Sequence, residues 1–206
     1  MRSKRIMAVI FVFVLFLSWI VSADTKKEEC PKTGTYLDSL IKEAYDCKAK
    51  FDTAGVSKDN GIKVLKELYA TTFGKEEKEK EEIMALIDTA FISMLEDEEI
   101  RKNFKEKLSE DGEATVDTLK MQMDDALLRL RDANDDAVKL EKKIPAAIKE
   151  LPSKFKGMNA MKIPKVKAAL EKAKGWVDNV VANTPPQVTM VKSIVEIAVY
   201  FLAEEE

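Results

Sequence analysis

EATVDTLKMQMDDALLRLRDANDDAVKLEKKI, residues 113–144, decides the fold. Its apolar positions are Val116, Leu119, Met123, Ala126, Leu130, Ala133, Ala137, Leu140 and Ile144, and the steps between them alternate 3 and 4 throughout. A seven-residue repeat held this long lays one apolar seam along one side of a helix. At 1.5 Å per residue that helix is roughly 48 Å long, longer than the roughly 40 Å width of a globule of this chain length. An isolated seam is only marginally stable in water, so other helices must cover it. The expected fold class is all-α: an elongated helical bundle of six or seven helices with one long central helix at about 113–144.

Upstream, Arg2, Lys4 and Arg5 precede an apolar run over 6–20, followed by Val21, Ser22 and Ala23. A basic start, a short apolar core and small residues before a cut predict a secretory signal peptide over 1–23. The alternative, a membrane anchor, needs about 20 apolar residues, and this run is short. The expected mature chain is a single α-helical domain over 24–206, secreted and extracellular. Removal of three bases and no acids takes the net charge from −3 to −6.

Cys30 and Cys47 both remain after that cut, and an oxidising compartment makes a disulfide between them the expectation. Cys47 shares a helical face with Tyr36, Leu37, Leu40, Ile41, Ala44 and Phe51, while Pro31 and Gly34 offer a turn that would bring Cys30 back along it. Closing such a loop would stabilise the fold by about 3 kcal/mol. Two thiols or an intermolecular bridge are the alternatives.

Further along, a break is expected near 53–60, then a helix with Ile62, Leu65, Leu68, Tyr69 and Phe73, ended by Gly74. The charged run KEEKEKEE over 75–82 reads as the solvated start of the next helix, which buries Ile83, Ile87, Phe91, Met94 and Leu95. Asp97 is placed to cap a short helix carrying Ile100, Phe104 and Leu108. After Ile144, Pro145, Pro152, Gly157 and Pro164 are expected to break the chain into short pieces. Two helices should follow, about 164–184 and 187–203, separated by Pro185 and Pro186. The last is apolar nearly all round, as a buried helix is. No stretch alternates as a strand would.

The chain has no histidine. That removes Ser-His-Asp and Cys-His catalysis, histidine-ligated zinc and haem, and carboxylate–histidine di-iron sites. A phosphate-binding glycine loop, a dinucleotide fingerprint and an EF-hand loop are also missing. An enzyme is not expected, nor a cofactor or a metal site. The acids Asp124, Asp125, Asp132, Asp135 and Asp136 read as a solvated face, with Asp125–Arg129 and Asp135–Lys139 as i,i+4 pairs.

Two features could carry function. Residues 75–125 hold 17 acids and 8 bases, whereas 139–174 hold 11 lysines and 3 glutamates. The blocks either attract each other within the fold or leave a basic segment free. In that segment Ile148, Leu151, Phe155 and Met158 are spaced as one face, with Lys149, Lys154, Lys156 and Lys162 around them. Such a face suits an anionic membrane or a partner groove. Nucleic acid is not an expected partner, because the mature chain is acidic and its basic block lacks arginine. The second feature is Ala126, Ala133 and Ala137 on the seam, which either admit a close helix or leave room for an apolar ligand.

Poor in cysteine, rich in Lys and Glu and helical throughout, the chain is similar in general design to secreted helical lipid carriers, such as insect apolipophorin-like bundles and nematode fatty-acid/retinol-binding proteins. The expected function is non-catalytic binding of apolar ligands or lipid surfaces, with Leu119, Met123, Leu130, Phe155 and Met158 lining the ligand. The alternative is a secreted interaction or structural protein acting through exposed helix faces or self-association, for instance as a homodimer. No membrane span is expected after signal cleavage.

Overall fold

The computed structural model describes residues 29–203. Pro31–Glu206 forms one compact unit; of the other, Met1–Cys30, only Glu29 and Cys30 are described, and the expected leader over 1–23 lies outside the described residues. Six α-helices and no strand occur among the described residues: α1 (Asp38–Thr72), α2 (Glu77–Ala85), α3 (Asp88–Glu96), α4 (Glu98–Lys107), α5 (Glu110–Lys154) and α6 (Ile163–Leu202), with a 3-10 turn (Gly157–Lys162) before α6. The all-α bundle with a long central helix is as expected.

All nine seam residues are buried, none more than 2% exposed. The cover comes from α1 and α6, which pack on α5 and on each other. α1 runs antiparallel to α5, since Cys47 meets Ala133 while Gly61 meets Leu119 and Met123. It runs parallel to α6, with Tyr45 edge-on to Trp176 near one end and Gly55 against Gln187 further along. The three short helices α2–α4 sit where α1 and α6 end. There Tyr69, Phe91, Phe104 and Phe201 form an aromatic cluster, Tyr69 and Phe201 lying 5.2 and 4.8 Å from Phe104 by ring centroid.

Local chemistry fixes the helix ends. The Asp38 carboxylate closes the turn before α1, accepting from the Thr33 N–H (2.8 Å), the Thr33 hydroxyl (2.5 Å) and the Gly34 N–H (3.0 Å). Those bonds, the Thr33 hydroxyl first, hold its pKa below the usual carboxylate value. α1 ends in a Schellman motif: the Lys75 N–H reaches the Ala70 carbonyl (3.0 Å), the Gly74 N–H reaches Thr71 (3.1 Å), and Gly74 takes φ +56°. Asp97 caps α4 as expected, accepting from the Glu99 and Ile100 N–H groups. Ser109 caps α5.

Several boundaries differ from the sequence reading. α1 continues through 53–60. An interior glycine costs about 1 kcal/mol, but Ala54, Ile62 and Leu65 are each at most 1% exposed, and burying a large aliphatic side chain returns about 1.5–3 kcal/mol. The same comparison carries α5 through Pro145 and Pro152, and α6 through Pro185 and Pro186. Each interior proline costs about 3 kcal/mol, yet Ile144 and Leu151, and Val180, Val191 and Ile194, are buried on either side. Conversely, the single helix expected over 83–95 is divided at Leu86 and Ile87, whose backbones are extended. The cause is Lys66, 4% exposed, whose Nζ donates to the Leu86 carbonyl (2.6 Å) and pairs with Asp88 (2.8 Å).

No disulfide is present among the described residues, so the bridge expected between Cys30 and Cys47 is not formed. Cys47 instead faces α5 as a buried thiol, its Sγ donating to the Ala133 carbonyl at 2.9 Å. Burial first, then the Asp136 carboxylate, push its pKa up to about 11. The expected Asp135–Lys139 pair gives way to Lys139–Asp136 at 3.6 Å, while Asp125–Arg129 forms at 2.6 Å. Asp136 also accepts from Lys50 (2.9 Å), which lowers its pKa and raises that of Lys50.

Candidate functional site at the lysine-rich pole

The continuity of α5 settles how the two charged blocks relate. Acids of 110–125 lie on its first turns and lysines of 139–154 on its last, so the blocks occupy opposite ends of the bundle. With 31 residues of α1, 38–68, between Tyr36 and Tyr69, the poles stand roughly 47 Å apart. That is about six screening lengths at physiological salt, so they do not neutralise each other within one chain.

At the lysine-rich pole α5 ends, the chain turns through Gly157 (φ +64°), and α6 begins with Pro164 in its first turn. Lys149, Lys154, Lys156 and Lys162 are all exposed. Lys154 pairs with Glu150 at 2.7 Å, which raises its pKa. Lys142, Lys143, Lys149, Lys156, Lys162 and Lys165 have no carboxylate within 4.0 Å among the described residues.

The apolar half of the expected amphipathic face is turned inward. Leu151 and Phe155 are buried and Ile148 is half-buried. Phe155 stacks on Tyr36 at 6.1 Å. What this pole presents to solvent is different: Met161, 86% exposed on the 3-10 turn, and Tyr36, 61% exposed. Met161 belongs to no helical periodicity, so only its position between Lys156 and Lys162 could have marked it in the sequence. The Met158 side chain lies outside the described residues.

The other expected ligand-lining residues are not at this pole. Leu119, Met123 and Leu130 lie in the core near the other end and the middle of α5. The space beside Leu119 and Met123 is filled: a methyl group on Gly61 would stand 2.9 Å from Met123 Cε and 3.0 Å from Leu119 Cδ1. Two shallow surface depressions exist elsewhere. Arg131, Asp135, Thr184 and Pro185 are among the residues lining one; Lys105, Leu108, Glu113 and Phe201 are among those lining the other.

Among the described residues no helix is long and apolar enough to cross a membrane, and no three Cys, Asp or Glu side chains are grouped to hold a metal ion. No protein-family model matches the chain, and no curated protein or solved structure is detectably similar to it.

Proposed function

We propose that this is a secreted, non-catalytic helical bundle that binds anionic lipid surfaces through its lysine-rich pole. The observation that carries the reading is Met161, exposed at the tip of a turn and flanked by unpaired Lys156 and Lys162. An exposed apolar side chain flanked in sequence by exposed lysines suits the boundary between lipid headgroups and acyl chains. Each lysine held at an anionic surface contributes about 1 kcal/mol. The close packing around Leu119 and Met123 favours a surface over an enclosed apolar ligand.

Co-sedimentation with vesicles tests this. Binding to phosphatidylserine-containing vesicles is expected, and none to pure phosphatidylcholine. Lys156→Glu with Lys162→Glu should lower partitioning by roughly a hundredfold. Met161→Asp should abolish the part of binding that survives high salt. Equal binding to both vesicle types, or to neither, overturns the reading. The rival reading, a protein-interaction module, has its own support in an exposed stripe on α5.

A further inference from the structure

An exposed face of α5, bordering α6 at Arg131 and Asp135, carries a second heptad stripe, at Asp117, Met121, Asp124, Leu128, Arg131, Asp135, Val138, Lys142, Pro145 and Lys149. All are exposed except half-buried Pro145, and Met121, Leu128 and Val138 are among the most exposed large apolar side chains. The stripe is palindromic in chemistry. Reflected about a point level with Ala133, Asp117 falls on Lys149, Met121 on Pro145, Asp124 on Lys142, Leu128 on Val138, and Arg131 on Asp135. Every acid meets a base and every apolar residue an apolar one.

We infer that this face docks a second copy of the same chain, α5 against α5, antiparallel about a two-fold axis level with Ala133. A self-complementary patch is what a closed two-fold interface requires. Other arrangements are penalised by like charges. Parallel pairing sets Asp117 on Asp117 and Lys142 on Lys142. Sliding the antiparallel pair by one heptad sets either Arg131 on Lys142 or Asp124 on Asp135. Within one chain Asp124 is shared with Lys120 at 2.8 Å. Asp117, Arg131, Asp135, Lys142 and Lys149 have no ion pair among the described residues, so these charges are available to a partner. This association uses the outer stripe, because the inner seam is already filled by α1 and α6.

The stripe ends at Lys149, short of Lys156, Met161 and Lys162, so the inference is independent of lipid binding. Sedimentation velocity of the purified protein, at low and high salt, tests it. A species of twice the chain mass is expected at low salt, saturating at the dimer and weakening as salt rises. Lys142→Glu with Lys149→Glu should weaken it at least roughly tenfold. Adding Asp117→Lys and Asp124→Lys to that variant restores the 117–149 and 124–142 pairs with signs exchanged, and should restore the dimer. Asp132→Asn removes an acid one position from the axis, within a turn of the second copy's Asp132, and should tighten it. All these positions are exposed, and circular dichroism verifies that each variant is folded. A protein monomeric at low salt, growth beyond two copies, or a dimer unaffected by the lysine reversals overturns the inference; so does failure of the fourfold exchange to rescue.

Discussion

Cys47 shows how one buried side chain sets a pH limit. Its thiol is 1% exposed and titrates near 11 instead of 9.0. A folded-state pKa raised above the unfolded one gives stability that is complete below pH 9 and is lost as pH climbs toward 11. Two pKa units correspond to about 3 kcal/mol. Urea unfolding followed from pH 8 to 11 should therefore show a fall in stability that is shallower in Cys47→Ala, whatever that variant's offset at neutral pH; the fall left in the variant belongs to ion-paired lysines such as Lys50, whose pKa is also raised. The same burial should keep Cys47 unreactive toward a thiol reagent until the chain unfolds. The helical face of 36–51 correctly turned Cys47 inward, but the same inward turn spends the thiol on Ala133. Sequence spacing could not register this, because the partner lies 86 positions away.

At the level of the helices, periodicity was the legible signal, and helix-breaking residues were the misleading one. Every seam position from Val116 to Ile144 is buried as its spacing demands. The segment 53–60 and Pro145, Pro152, Pro185 and Pro186 suggested boundaries that tertiary packing overrides. Pro185 and Pro186 are both exposed, so they cost helical hydrogen bonds without filling the core. Pro186→Ala should raise stability, by at most about 3 kcal/mol, measured as a higher melting temperature. The division between α2 and α3 was illegible for the opposite reason. It depends on Lys66, which reads as an ordinary surface charge in α1 but reaches across to the Leu86 carbonyl. Lys66→Met should cost about 1.5–3 kcal/mol, and amide exchange should quicken first across 86–96. If exchange rises uniformly along the chain instead, the elbow does not depend on this amine.

For the whole molecule, charge placement matters more than net charge. The sequence displayed both blocks, yet their relation depended on whether the chain bent between them, and unbroken α5 separates them. At the lysine-rich pole the lysines were legible. Met161 and Tyr36 were not, because exposure at a tip is a property of the assembled turn. In the proposed dimer the stripe ends at Lys149, whereas Lys154 follows buried Leu151 by three residues on the seam side of α5 and Lys156 lies beyond the helix end. Self-association and lipid binding therefore use different residues. Leu128→Asp, which disrupts the dimer and adds no base, should leave binding to phosphatidylserine-containing vesicles unchanged. Binding that changes several-fold would show that the two faces are coupled.

Three long helices are an odd number, and α1 and α6 point the same way. Residues 38 and 202 therefore lie roughly 50 Å apart at opposite extremities. A tether pulled from those points would load the interfaces in shear along their length, with buried side chains resisting together, so the bundle should yield abruptly instead of peeling apart turn by turn.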